Sequence, residues 1–95
     1  VTEIPDSAFR LRWTRTWQDQ DNDFIARNGN DYCRIYLAVG GPQDRRWWWE
    51  VGVAMRKAGV GYADSAREAA LEAEKAYFAA GGRWGNDRDR VRDVR

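Results

Sequence analysis

Histidine is absent from this 95-residue chain, and cysteine occurs once, as Cys33. The first absence excludes Ser-His-Asp and Cys-His catalysis, histidine-ligated metals and the usual near-neutral pH switch. The second excludes an intrachain disulfide and any Cys/His zinc cluster. Long apolar runs are missing too, none approaching the ~20 residues of a membrane-spanning helix. The opening VTEIPDSAFR has neither the basic nor the apolar region of a secretory signal. A cytoplasmic setting without membrane contact is therefore expected. Lysine is scarce: of 16 basic residues only Lys57 and Lys75 are not arginine, and 15 acidic residues leave a net charge of +1. That balance weighs against a strongly nucleic-acid-binding domain, which is usually more basic.

What the chain does carry is aromatic bulk. Six tryptophans within a composition 43% hydrophobic supply enough buried area for one core, and the length suits one domain. Three of those tryptophans are consecutive, in RWWWEVGVAM (46–55). Successive side chains of a strand point to opposite faces, so three adjacent indoles cannot share one environment.

Along the chain, residues 1–10 read as a lead-in. LRWTRTW (11–17) alternates, with Leu11, Trp13, Arg15 and Trp17 on one side, and is a short strand candidate. After the polar QDQDND (18–23), FIAR leads into Asn28–Gly29, a strong signal for a tight hairpin. YCRIYLAV (32–39) and RRWWWEVGVAM (45–55) are the next strands, joined by GGPQD, and RKAGVGYAD (56–64) reads as a connection. Ser65 with Glu68 makes a capping box for a helix running to about Ala80 and stopping at Gly81–Gly82. Residues 83–95 read as a charged tail of alternating sign. The expected fold is α+β: an antiparallel meander of three to four strands with one C-terminal helix packed on one face, a single domain over residues 11–82.

Strand parity sorts the faces. Cys33, Ile35, Leu37 and Val39 with Trp47, Trp49, Val51, Val53 and Met55 form the expected core face. Pairing Leu37 with Trp49 and Ile35 with Val51 brings the two sets together. The helix meets them with the stripe Ala66, Ala69, Ala70, Ala73, Ala76, Tyr77 and Ala80. Trp48 falls on the other face, with Ile25, Arg27, Tyr32, Arg34 and Tyr36.

This outer face is the main candidate binding surface, through Arg27, Tyr32, Arg34, Tyr36 and Trp48. Interleaved aromatics and arginines suit a protein interface, and they also suit stacking on unpaired bases. The expectation given most weight is that Phe9, Trp13 and Trp17 of the N-terminal segment, or a second copy of the chain, cover this face. Leu71 and Phe78 point away from the alanine stripe and form a second apolar patch, open to a partner or to residues 1–11, Trp84 or Val91. Asp19, Asp21 and Asp23 alternate as in a calcium loop, but Phe24 and Asn30 stand where glycine and glutamate are required, so no metal is expected. Cys33 on an apolar face reads as an inert core thiol. Glu72 and Glu74 read as a solvated helix flank. No nucleophile–base set is present, and neither catalysis nor a cofactor is expected.

CRIYLAVGGPQDRRWWWEV followed by GYADSAREAALEAEKAY resembles a set of small uncharacterised bacterial and phage proteins. Their pattern is an Arg-Ile strand, a Gly-containing turn, a Trp-x-Trp strand and a helix opening with Ser and Glu-Ala. The likeness covers roughly residues 23–80. Cys33 replaces the Gly expected before Arg-Ile, and Trp48 stands where another residue, often Phe, separates the tryptophans. The resemblance implies a fold and no activity. The β-β-β-α order is also similar to three-stranded plant DNA-binding domains and integrase arm-binding domains. The strand-turn-strand-helix order is similar to HicB-type antitoxins, which implies an inhibitor of a partner protein. The expectation that follows is a non-enzymatic protein-contact module, a homodimer by preference, with nucleic-acid binding and antitoxin-like inhibition as alternatives.

Overall fold

Alternation of apolar and polar residues from Asp23 to Ala63 gives the strands of an antiparallel sheet in the computed structural model, which describes residues 9–83. The strands are β1 (Thr14–Arg15), β2 (Asp23–Asn28), β3 (Asp31–Leu37), β4 (Trp47–Val53) and β5 (Arg56–Ala63), followed by the helix α1 (Ala66–Ala79). Their order in the sheet is their order in the chain. The α+β class is as expected, with five strands instead of three to four. The segment read as a connection, 56–63, is the full strand β5, and the strand expected over 11–17 is only two residues long. The tail from residue 84 and the lead-in up to residue 8 lie outside the described residues. Phe9, Arg10 and Arg83 take part in the domain.

The hairpin between β4 and β5 explains the missed strand. Its two turn residues, Ala54 and Met55, have φ of 55° and 66°, a left-handed geometry in which Asn-Gly is the usual choice. The Asp31 carboxylate accepts the Ala54 N–H at 3.0 Å and helps hold the turn. Side chains with a Cβ are strained in this region. Replacing Ala54-Met55 by Asn-Gly is therefore expected to raise stability by about 1–2 kcal/mol. Urea unfolding should show a higher midpoint at unchanged slope.

The β3–β4 register also departs from expectation. Ile35 pairs with Trp49 and Leu37 with Trp47, a shift of two residues that leaves every side chain on its expected face. Arg45, at φ 67°, sits in a bulge where its N–H and that of Ala38 close the loop on Ala38 and Arg46 carbonyls. Strand pairing stops at Leu37 and Val53, so Val39 and Met55, expected in the core, are instead 81% and 78% exposed.

α1 begins as its sequence dictates, with Ser65 Oγ accepting the Glu68 N–H at 3.1 Å. It ends with Gly81 at φ 93°, where the Gly81 N–H reaches Phe78 O and the Gly82 N–H reaches Tyr77 O. The helix lies over β3, β4 and β5, and Ala69, Ala70 and Ala73 are completely buried against them. Opposite them sit Cys33, Ile35 and Val51, also completely buried. Small residues on the helix leave room for large ones on the sheet.

The tryptophans divide by parity. Trp47 stacks near Phe24, ring centres 6.4 Å apart, on the helix side. Trp49 lies across β5 over two glycines: a Cβ on Gly61 would stand 2.8 Å from three indole atoms, and one on Gly59 would stand 3.2 Å from a fourth. Those glycines exist to let the indole lie flat on the strand. Trp48 points to the other face.

Candidate functional site

The outer face is organised in rows that run across the strands. Tyr36, Trp48 and Tyr62 are register neighbours on β3, β4 and β5. Tyr36 and Trp48 have ring centres 6.5 Å apart, and Trp48 meets Tyr62 edge-on at 5.0 Å. The second row holds Ile25, Arg34, Glu50 and Val60, and the third holds Arg27, Tyr32, Gly52 and Lys57. The Tyr32 ring covers Gly52 so closely that a Cβ there would collide with it. All five residues expected on this face, Arg27, Tyr32, Arg34, Tyr36 and Trp48, are brought together on it.

Glu50, Arg34 and Asp23 are paired within the sheet, while Arg27 and Lys57 in the third row are exposed. Glu50 accepts from Trp48 Nε1 at 2.9 Å and from the Tyr32 hydroxyl at 3.3 Å. Burial, with the Glu50 charge beside it, pushes the Tyr32 phenol above its ordinary pKa. Arg34 grips Asp23 in a two-pronged pair at 3.0 and 2.6 Å and leans over the Tyr36 ring at 4.9 Å. Asp23 is buried and also accepts from Thr16 Oγ1 at 2.6 Å and Trp17 Nε1 at 3.2 Å. Burial alone would raise its pKa, but hydrogen bonds from Arg34, Thr16 and Trp17 with the Arg34 charge outweigh burial and hold it below the ordinary value. Arg34 is in turn pushed up, chiefly by its hydrogen bond to Asp23.

Asp23, Val60 and Tyr62 escaped the sequence reading, whereas strand parity already puts Glu50 on the face of Trp48. Asp23 was read as loop and opens β2, whereas Val60 and Tyr62 lay in the unrecognised β5. Alternation through Val60 and Tyr62 was the available signal, masked by Gly59 and Gly61. The calcium-loop triplet comes apart: Asp23 turns inward, Asp21 pairs with Arg15 at 3.1 Å, and no metal-binding cluster occurs among the described residues.

Among the described residues, the N-terminal segment does not cover this face. Phe9, Leu11 and Trp13 pack into the core from the helix side, while Trp17 stands at the border of the outer face, 52% exposed. What holds the segment is Glu74, read from sequence as part of a solvated flank and in fact buried. Its carboxylate accepts the Arg10 and Leu11 backbone N–H groups at 3.0 Å each and Trp13 Nε1 at 2.8 Å.

The second patch is divided. Phe78 lies under the Arg10 guanidinium at 3.8 Å and packs edge-on against Tyr77. Leu71 lines a cleft of about 390 Å³ with Trp49, Gly61, Glu68 and Glu72, beside β5. Cys33 is completely buried, and burial, with lesser contributions from Glu74 and Asp31, pushes its thiol up to about 12, so no thiolate is available at neutral pH. No helix among the described residues is long and apolar enough to cross a membrane.

Compared with known proteins, the chain matches no family model, no curated protein and no solved structure. The resemblances to phage proteins, DNA-binding domains and antitoxins gain no support from these comparisons.

Proposed function

We propose that the protein is a non-enzymatic contact module that self-associates through its outer sheet face. The observation that carries this reading is the continuous row Tyr36–Trp48–Tyr62, flanked by polar groups already paired with one another. Burying the aromatic row beside Glu50, Arg34 and Asp23, which are already paired, strands none of those charges, and Arg27 and Lys57 stay at the solvated rim. Tyr, Trp and Arg are also the residues that dominate binding energy at such interfaces. A phosphate backbone is a poorer fit. Asp23 occupies the cation of Arg34, and Glu50 places a carboxylate mid-face, so few free positive charges remain to release counterions.

Trp48→Ala tests the reading. Light scattering over a concentration series should show the wild type rising above the 11.0 kDa chain mass, and the variant staying near it. An unchanged mass in the variant, or oligonucleotide binding that weakens with salt and disappears with Trp48, would turn the reading over to another surface or to nucleic acid.

A further inference from the structure

We propose that the partner is a second copy of this chain, joined through antiparallel pairing of the two β5 strands into one continuous sheet. This rests on the self-association reading and names its geometry. The two edges of the sheet differ. β1 is a two-residue edge, too short to template a partner, whereas β5 is an eight-residue edge strand without proline, and no described strand pairs with its outer side. From Ala58 to Ala63 the strand carries no charge. Its outer-face side chains Val60 and Tyr62 are 44% and 39% exposed, two of the five large apolar residues left exposed among those described.

Charge makes the edge complementary to itself. Its N-terminal end is basic, with Arg56 and Lys57. The surroundings of its C-terminal end are acidic: Asp64, Glu68 and Glu72 flank the cleft beside Gly61 and Ala63. An antiparallel two-fold pair sets each basic end against the other copy's acidic end, which is the requirement of an isologous interface. β5 bulges at Ala58, between the Val51–Gly59 and Gly52–Lys57 pairs, so with Val60 opposite Val60 of the second copy Lys57 stands opposite Tyr62 and Arg56 opposite Ala63. Arg56 belongs to the helix side of the sheet, like its register partner Val53, and so approaches the acidic cleft of the other chain. Asp64 stays with Arg46 at 3.1 Å, so the carboxylates that Arg56 meets across the seam are Glu68 and Glu72. The pairing covers Val60 and packs Lys57 of the second copy along Tyr62, the end of the aromatic row that Trp48 braces edge-on at 5.0 Å, so loss of Trp48 loosens the same contact.

Sedimentation equilibrium on the full chain, with three variants, tests the proposal. The wild type should show a monomer–dimer equilibrium. Val60→Lys places two like charges at the two-fold axis and should weaken dimerisation at least about tenfold, with an unchanged circular dichroism spectrum showing an intact fold. Arg56→Asp should weaken it, and Arg56→Asp with Glu72→Arg should restore it. Because Cys33 is buried, Val60→Cys offers one accessible thiol and should give a disulfide-linked dimer under mild oxidation. Met55→Cys, at the exposed hairpin tip, should not. A wild type that stays monomeric at every concentration overturns the proposal together with the self-association reading. A dimer that survives Val60→Lys but is lost in Trp48→Ala overturns only the strand pairing and leaves a face-to-face contact in its place.

Discussion

Glu74→Ala is expected to cost the fold about 3 kcal/mol, the largest effect of any single polar substitution considered. One carboxylate satisfies three donors contributed by Arg10, Leu11 and Trp13. A hydrogen bond to a charged acceptor contributes roughly 1.5–3 kcal/mol, and removing the acceptor leaves buried donors with no replacement. Leu11 is itself buried, so water does not freely reach its N–H. For a domain of this size the loss corresponds to a fall in melting temperature on the order of 15 °C. The damage should be local in a recognisable way. Amide exchange at Arg10 and Leu11 should accelerate far more than exchange in β3 or β4, because the sheet keeps its own ladder. Uniform acceleration across the sheet would show that Glu74 supports the whole core and is not a latch for the segment.

Gly61→Ala is the second large effect, and it probes the indole from below. The added methyl carbon meets three atoms of Trp49 at 2.8 Å, closer than carbon contacts allow. Trp49 is pinned between β5 and the helix side of the core, so the ring has to shift against its neighbours. Overpacking of this kind costs about 1–3 kcal/mol. The same substitution made in a Trp49→Leu background should be close to neutral, since the smaller side chain leaves the space open. A double-mutant cycle in thermal unfolding should therefore return a coupling of about 1 kcal/mol or more. Simple additivity would mean that the indole already has somewhere else to go.

The faces of β3 and β4 were legible because period-two alternation needs no knowledge of what lies beyond the strand. It placed Trp47 and Trp49 inside and Trp48 outside, and it gathered Tyr32, Arg34 and Tyr36 with Trp48. It could not supply register, since Arg45 adopts a left-handed bulge that no residue preference announces. β5 was hidden twice over. Its turn residues Ala54 and Met55 are not turn formers, and Gly59 and Gly61 read as loop until the indole above them is seen. Glu74 was illegible for a different reason. Its neighbours on the helix, Glu72 and Lys75, are solvent-exposed, and the donors that define its role lie over 60 residues away in an irregular segment. Asp23 was misread likewise, because a polar run says nothing about which member will find an arginine on the next strand.

The meander has a consequence for how the chain comes off the ribosome. Each strand from β2 to β5 finds its neighbour in residues made immediately before it, so hairpins can close as they emerge. Arg10, Leu11 and Trp13 are made early, yet their acceptor follows more than 60 residues later, in the second half of the helix. The earliest residues of the domain thus stay unsettled through most of synthesis. Their docking on Glu74 reports that the helix has arrived.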